Sequence, residues 1–241
     1  MKSSKKLAVF DIDGTVFRGS FMIELMKTLV HFGVFPREAE HAVDKEYFDW
    51  VERRAPYQNY VDKVVGVFTK FIKGCREEDI KKYSARIASY FKNRNYVFTK
   101  RLAEKLRKTH FLLSISGSPI EVVQEYNKYL KFDVAFGTIY ELDLKTKKYT
   151  GKMLLDGAHK KEKIFCEFCQ KNGFDFRNSI GVGDTEYDAT FLKKVGRPIV
   201  FNPNANLLKL ARKNNWEIVL ERKDVVYKIK NNKCIEVDSY Y

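Results

Sequence analysis

Leu7-Ala-Val-Phe10-Asp11-Ile-Asp13-Gly14-Thr15 decides the fold. Four apolar residues in a row, stopped by two aspartates and a glycine, read as a strand buried on both faces that runs into a polar turn. A strand wetted on one face would alternate apolar with polar residues, and this one does not. The same pattern returns twice. Phe111-Leu-Leu-Ser-Ile115 ends in Ser116-Gly117-Ser118, and Ser179-Ile-Gly-Val182 ends in Gly183-Asp184-Thr185, with Asp188 close behind. Residues 198–201 and 217–220 read as a fourth and a fifth strand.

Helical patterns separate these strands. Phe98, Leu102 and Leu106 recur every four residues before the second strand. Ala189, Leu192 and Val195 form a stripe that Gly196 terminates, and Leu207, Leu208 and Ala211 form another. Apolar strands alternating with helices predict an α/β protein with a Rossmann-like parallel sheet covered on both faces. Residues 20 to 95 are too many for one crossover helix. They carry four amphipathic segments: 22–30, one from Pro36 through Trp50, 57–72 and 80–91. A helical bundle inserted as a cap is the expected result. The expected division is core over 1–17, cap over 18–95 and core again over 96–241. Residues 138–142 and 148–152 suggest a hairpin, and an irregular or edge segment is expected from about Lys223.

With 44% hydrophobic and 15% aromatic residues in 241, the chain has material for a sizeable core and is not of disordered type. A net charge of +14 attracts anions. The basic residues are dispersed, so no nucleic-acid arm stands out and no nucleic acid is expected as partner. Among four cysteines only Cys166 and Cys169 have a C-x-x-C spacing, and it lies in a helix where core packing accounts for it. Asp11 cuts the first apolar run too short for a signal peptide, and no run reaches the ~18 apolar residues of a membrane span. A cytoplasmic, membrane-free location is the expectation. Oligomeric state has no signal in the sequence.

In an open parallel sheet, ligands bind beyond the carboxyl ends of the strands. If the three polar turns neighbour one another, Asp11, Asp13, Asp184 and Asp188 converge with a hydroxyl at Ser116. Carboxylates gathered in one cleft repel, and a cation relieves that repulsion. All-oxygen ligation favours Mg²⁺ over zinc. Taken singly, each feature has an ordinary structural reading. Asp-Gly is a common turn pair, Ser116 suits a helix N-cap, and Asp188 suits a solvated first turn. Their order on three strand ends argues for chemistry.

This ordered set resembles the haloacid dehalogenase superfamily, in particular the phosphatases related to phosphoserine phosphatase. The D-x-D-G-T motif stands at 11–15, the strand-ending Ser at Ser116, the helix-opening Lys at Lys161, and G-D-x-x-x-D at Gly183, Asp184 and Asp188. The resemblance implies a Mg²⁺-dependent phosphomonoesterase acting on a small phosphorylated metabolite. In it Asp11 attacks phosphorus to give an aspartyl phosphate, and Asp13 protonates the leaving alkoxide and then activates water. Ser116, Gly117 and Lys161 would hold phosphate, with Lys160 and Lys163 as neighbouring alternatives to Lys161. Mg²⁺ would be held by Asp11, the Asp13 backbone carbonyl and Asp184, with Asp188 acting directly or through water. The bundle would be a lid. Arg18, just past the nucleophile loop, either touches substrate or braces the lid, and His159 reads as a surface residue.

Phosphoserine phosphatases carry a glutamate where this chain has Ser20, and a lid arginine near Asp62 or Lys63. These departures put phosphoserine in doubt as the substrate and leave it one candidate among several, and Tyr187 stands where many relatives have Asn. Other readings are a phosphomutase or phosphotransferase, a non-catalytic phosphate-ligand protein, and a nucleic-acid-binding protein. The Asp11/Asp13 pair argues against the non-catalytic one.

Overall fold

The computed structural model describes residues 6–230 and 233–239. Nine strands form one sheet: β1 (Leu7–Phe10), β2 (Phe111–Pro119), β3 (Val134–Asp143), β4 (Lys148–Leu155), β5 (Ile180–Gly183), β6 (Arg197–Phe201), β7 (Glu217–Arg222), β8 (Val225–Lys230) and β9 (Lys233–Ser239). Their order is β4-β3-β2-β1-β5-β6-β7-β8-β9. The six strands from β3 to β7 in that order pair in parallel, whereas β4, β8 and β9 run antiparallel at the edges. Among the described residues beyond Lys223, β8 and β9 pair at the sheet edge, so the edge alternative holds rather than the irregular one.

Strand β1 sits between β2 and β5, and its four residues are buried. Alternate side chains point to opposite faces. Leu7 and Val9 join the apolar cluster of Phe165 and Phe191 on one face, while Ala8 and Phe10 join that of Phe132 and Phe201 on the other. Helices α6 (Val97–Leu106), α7 (Ile120–Leu130), α8 (Lys161–Asn172), α9 (Ala189–Leu192) and α10 (Ala205–Lys213) cover the sheet. The stripe over 189–195 keeps only one helical turn before a tight return to β6.

Between β1 and β2 lie α1 (Phe21–His31), α2 (Glu38–His41), α3 (Asp44–Val51), α4 (Tyr57–Ile72) and α5 (Glu77–Tyr90). The segment from Pro36 through Trp50 is two helices rather than one. Ala39 and Val43 are buried, but α3 has no buried residue. Breaking the helix near Val43 turns Tyr47 and Trp50 toward the aromatic face of α4, where both rings reach Tyr60.

This helical layer shares a continuous core with the sheet, running from Phe10 through Phe17, Phe21 and Tyr126 to Phe35 and Phe68. Backbone bonds tie it down at two further places. Gly74 N donates to Tyr149 O and Tyr149 N to Cys75 O, joining the α4–α5 turn to β4, and Tyr96 N donates to Val16 O where the chain returns from the layer.

Candidate active site

The carboxyl ends of β1, β2 and β5 meet under α1 and α4. Asp11 is held in line by its amide, which donates to Val182 O on β5 at 2.9 Å. Its side chain is 3% exposed. The Asp11 Oδ1 atom accepts from Lys161 Nζ at 2.6 Å, while Oδ2 is buried without a hydrogen-bond partner. Lys161 opens α8, is 3% exposed, and also donates to Asp188 Oδ1 at 2.6 Å. Its neighbours Lys160 and Lys163 are exposed.

Asp188 uses its other oxygen to fix the loop after β5. Oδ2 accepts from the amides of Asp184 and Thr185 and from the Thr185 hydroxyl. Gly183 is needed above it, because a Cβ there would run into the Asp188 side chain. With both oxygens engaged, Asp188 positions Lys161 and the Asp184 loop. Asp184 itself accepts from Thr15 Oγ1 at 3.2 Å. It reaches the nucleophile loop because residue 14 is glycine at φ +81°, and a Cβ there would overlap the Asp184 carboxylate.

Asp13 stands apart from that group. Its Oδ1 accepts from Phe21 N at 2.6 Å and its Oδ2 from Ser116 Oγ at 2.6 Å. The first turn of α1 therefore caps onto the core: Phe21 N donates to Asp13, Met22 N to Ser118 Oγ, and Ile23 N to Ser20 Oγ. Ser116 is fully buried and spends its hydroxyl on Asp13, so Gly117 and Ser118 are the residues of this strand end that line the cleft. Gly117 does not open a helix, since α7 starts at Ile120. Pro119 keeps Ser118 extended and delays the helix. Arg18 is exposed and absent from the cleft wall, and its amide donates to Arg94 O at 2.9 Å. That contact braces the return from the helical layer.

Burial dominates the electrostatics. It pushes the Asp11 carboxyl up to about 7, with Lys161 opposing and Asp188 and Asp13 reinforcing the rise. Burial, then the charges of Asp11 and Asp188, hold Asp184 well above the ordinary carboxylate range. Burial also raises Asp13, against the hydrogen bonds from Ser116 and Phe21. Burial alone would depress Lys161, but the Asp11 and Asp188 carboxylates outweigh it and keep the ammonium charged.

Ligand oxygens of Asp11, Asp184 and Asp188 lie within 4.8 Å of one another. One lysine faces four acids there, and Asp11 Oδ2 has nothing to bond. Crowded carboxylates, an orphaned oxygen and an all-oxygen donor set fit a hard divalent cation.

Above the floor, α4 contributes Tyr57, Gln58 and Asp62, and the loop after β5 contributes Tyr187. Tyr57 belongs to the apolar stripe of α4 in sequence, yet it faces the carboxylates, and burial followed by the charges of Asp184 and Asp13 raises its phenol. Tyr187 OH donates to Asp62 Oδ1 at 3.2 Å, and its ring meets that of His159 at 4.6 Å. His159 is exposed but lines the cleft, anchored by Asp156. Sequence spacing gives no sign of this upper wall, because it depends on how α4 lies over the sheet.

The family model for haloacid dehalogenase-like hydrolases matches residues 8–193, and the chain belongs to that family. A putative hydrolase of Mycobacterium leprae is 24% identical over 223 residues, covering 88% of this chain and 71% of that one. A protein of unknown function from Bordetella pertussis superposes with a TM-score of 0.71 at 15% identity, over 90% of this chain and 98% of the other. A phospho-aspartyl intermediate analogue of phosphoserine phosphatase superposes at 0.62 with 20% identity, over 92% and 96%. These structural likenesses establish a shared fold. Among the described residues no helix is long and apolar enough to cross a membrane.

Proposed function

We propose that this haloacid dehalogenase-like hydrolase is a phosphomonoesterase that releases phosphate from a small metabolite through an acyl phosphate on Asp11. The observation that carries the reading is the state of Asp11. One oxygen is clamped by Lys161 at 2.6 Å, and the other is buried and unpartnered at the bottom of the cleft.

Asp11 attacks phosphorus, and the bond from phosphorus to the leaving oxygen breaks as the acyl phosphate forms. Asp13, held by Ser116 and Phe21, gives its proton to the departing oxygen. It then takes a proton from the water that cleaves the acyl phosphate. Lys161 pins Asp11 in position and places positive charge beside the transferring group. Gly117 and Ser118 supply the wall against which phosphate seats. Asp11 and Asp184, with the Asp13 backbone carbonyl, would hold Mg²⁺, and Asp188 would steady that set from behind. A bound Mg²⁺ supplies charge neutralisation that lets an anionic carboxylate approach an anionic phosphate. The helical layer acts as a lid that excludes water from the cleft. The net charge of +14 raises the encounter rate of phosphorylated substrates with the protein as a whole.

The test is phosphate release from p-nitrophenyl phosphate with Mg²⁺ present. Release stops on chelation and returns on adding Mg²⁺. The enzyme takes up a hydroxylamine-labile phosphate, and Asp11→Asn loses both label and turnover by at least about 10⁴-fold. Turnover that survives in Asp11→Asn, or in excess chelator, overturns the reading.

A further inference from the structure

The part of the cleft that would receive the leaving group has its own chemistry. Met22, Ile23, Val61, Val64 and Val65 make one side apolar. Among the described residues lining the cleft, Lys161 is the one lysine or arginine, and Asp11 and Asp188 already hold it. Lys63, next to Asp62, pairs instead with Glu46 at 3.7 Å.

Gln58 has a fixed orientation. Its Nε2 donates to Asp62 Oδ1 at 2.8 Å, a bond that only the amide nitrogen can make to a carboxylate. The amide oxygen therefore turns away from Asp62, and it is buried with no partner. Asp62 Oδ1 also takes the Tyr187 hydroxyl, so the Asp62 carboxylate accepts from both Gln58 and Tyr187. The lid thus presents acceptors and negative charge over an apolar wall. A buried acceptor left without a donor is costly, and a ligand that brings the donor removes that cost.

We infer that the leaving group carries an ammonium and no carboxylate, so that the substrate is a short aminoalkyl phosphate selected by Gln58 and Asp62. The inference rests on the phosphatase reading above and names its substrate class. The N–H groups of the ammonium meet Gln58 Oε1 and the Asp62 carboxylate, while the methylenes lie on Val61 and Val65. Hydrolysis then yields inorganic phosphate and the amino alcohol, whose oxygen keeps the proton given by Asp13. Phosphoserine adds a carboxylate that would face Asp62 with no cation to receive it. A sugar phosphate brings several hydroxyls against valines, where they go unpaired. A trimethylated ammonium suits Tyr57 and Asp62 but has no N–H for Gln58 Oε1.

The experiment compares kcat/KM for phosphoethanolamine, phosphocholine, phosphoserine and p-nitrophenyl phosphate in Mg²⁺. Phosphoethanolamine is expected to exceed phosphoserine by at least about tenfold, with phosphocholine between them. In Gln58→Leu and in Asp62→Asn the ratio of phosphoethanolamine to p-nitrophenyl phosphate is expected to fall about tenfold. Phosphoserine turned over as well as phosphoethanolamine, or a ratio unmoved in both variants, overturns the inference and leaves the phosphatase reading standing. Failure to hydrolyse any of the esters overturns that reading instead. Calorimetric binding to the Mg²⁺-loaded wild type then decides the inference: tighter phosphoethanolamine than phosphoserine upholds it, and the reverse or equality overturns it.

Discussion

Beneath the cleft, Asp11, Lys161 and Asp188 are each at most 3% exposed and are bonded together from the ends of β1 and β5 and the first residue of α8. Above it, Gln58 and Tyr187 are partly exposed and Asp62 is exposed, and the three bond mainly to one another. The lower group is assembled from residues up to 177 positions apart, as Asp11 and Asp188 show, so no member moves without the others. The upper group comes largely from one helix turn, with Gln58 and Asp62 four residues apart on α4. In the proposed reading, the chemistry belongs to the sheet and recognition to the helical surface laid over it.

Breaking the lower group should have the largest consequences. Asp13→Asn is expected to slow release from alkyl phosphates by about 10²–10⁴-fold. The loss should be much smaller for p-nitrophenyl phosphate, whose phenolate leaves without a proton. Equal losses on both substrates would remove Asp13 as the acid. Lys161→Met strands two buried carboxylates and is expected to cost about 3–5 kcal/mol of stability, read from denaturant unfolding of the metal-free protein.

A subtler division appears with pH. The folded Asp11 carboxyl lies at about 7 against 3.8 in its ordinary state. A raised carboxyl favours the fold only while protonated. Its contribution is complete below about pH 4 and is lost as pH rises through about 7. A Mg²⁺ ion held by Asp11 would compete with that proton. Its affinity, followed by calorimetry, should rise with pH by up to about tenfold per unit below 7 and then level off. Metal should also raise the melting temperature more at pH 8 than at pH 5. The smallest effect is expected in the upper group, where Tyr187→Phe removes one exposed hydrogen bond. It should change KM by less than about fivefold and leave the unfolding midpoint nearly where it was.

Much of the lower group is legible in the sequence because buried parallel strands leave continuous apolar runs, and their polar ends mark where the chain turns. Residues 7–10 locate Asp11 and Asp13, and residues 179–182 locate Asp184 in the same way. Ser116 shows where such legibility stops. Its position at a strand end is plain, but its hydroxyl is committed to Asp13 across 103 residues, which no local pattern encodes. Pro119 similarly postpones a helix that Gly117 would otherwise open. Tyr57 and Gln58 are harder still. The helical stripe of α4 predicts an apolar face, and only the packing of α4 on the sheet decides that its first turn lies over carboxylates. The break near Val43 lies outside local pattern too, and it accompanies the contacts of Tyr47 and Trp50 with Tyr60 on α4.

The first turn of α1 bonds its amides to Asp13 and Ser118, so the acid's setting belongs jointly to both layers of the molecule. A laboratory that wished to exchange lids between such hydrolases would have to cut the chain after Met22 rather than at Arg18. Residues 20–22 would then travel with the recipient, and the new roof would sit over an Asp13 whose hydrogen-bond partners are unaltered.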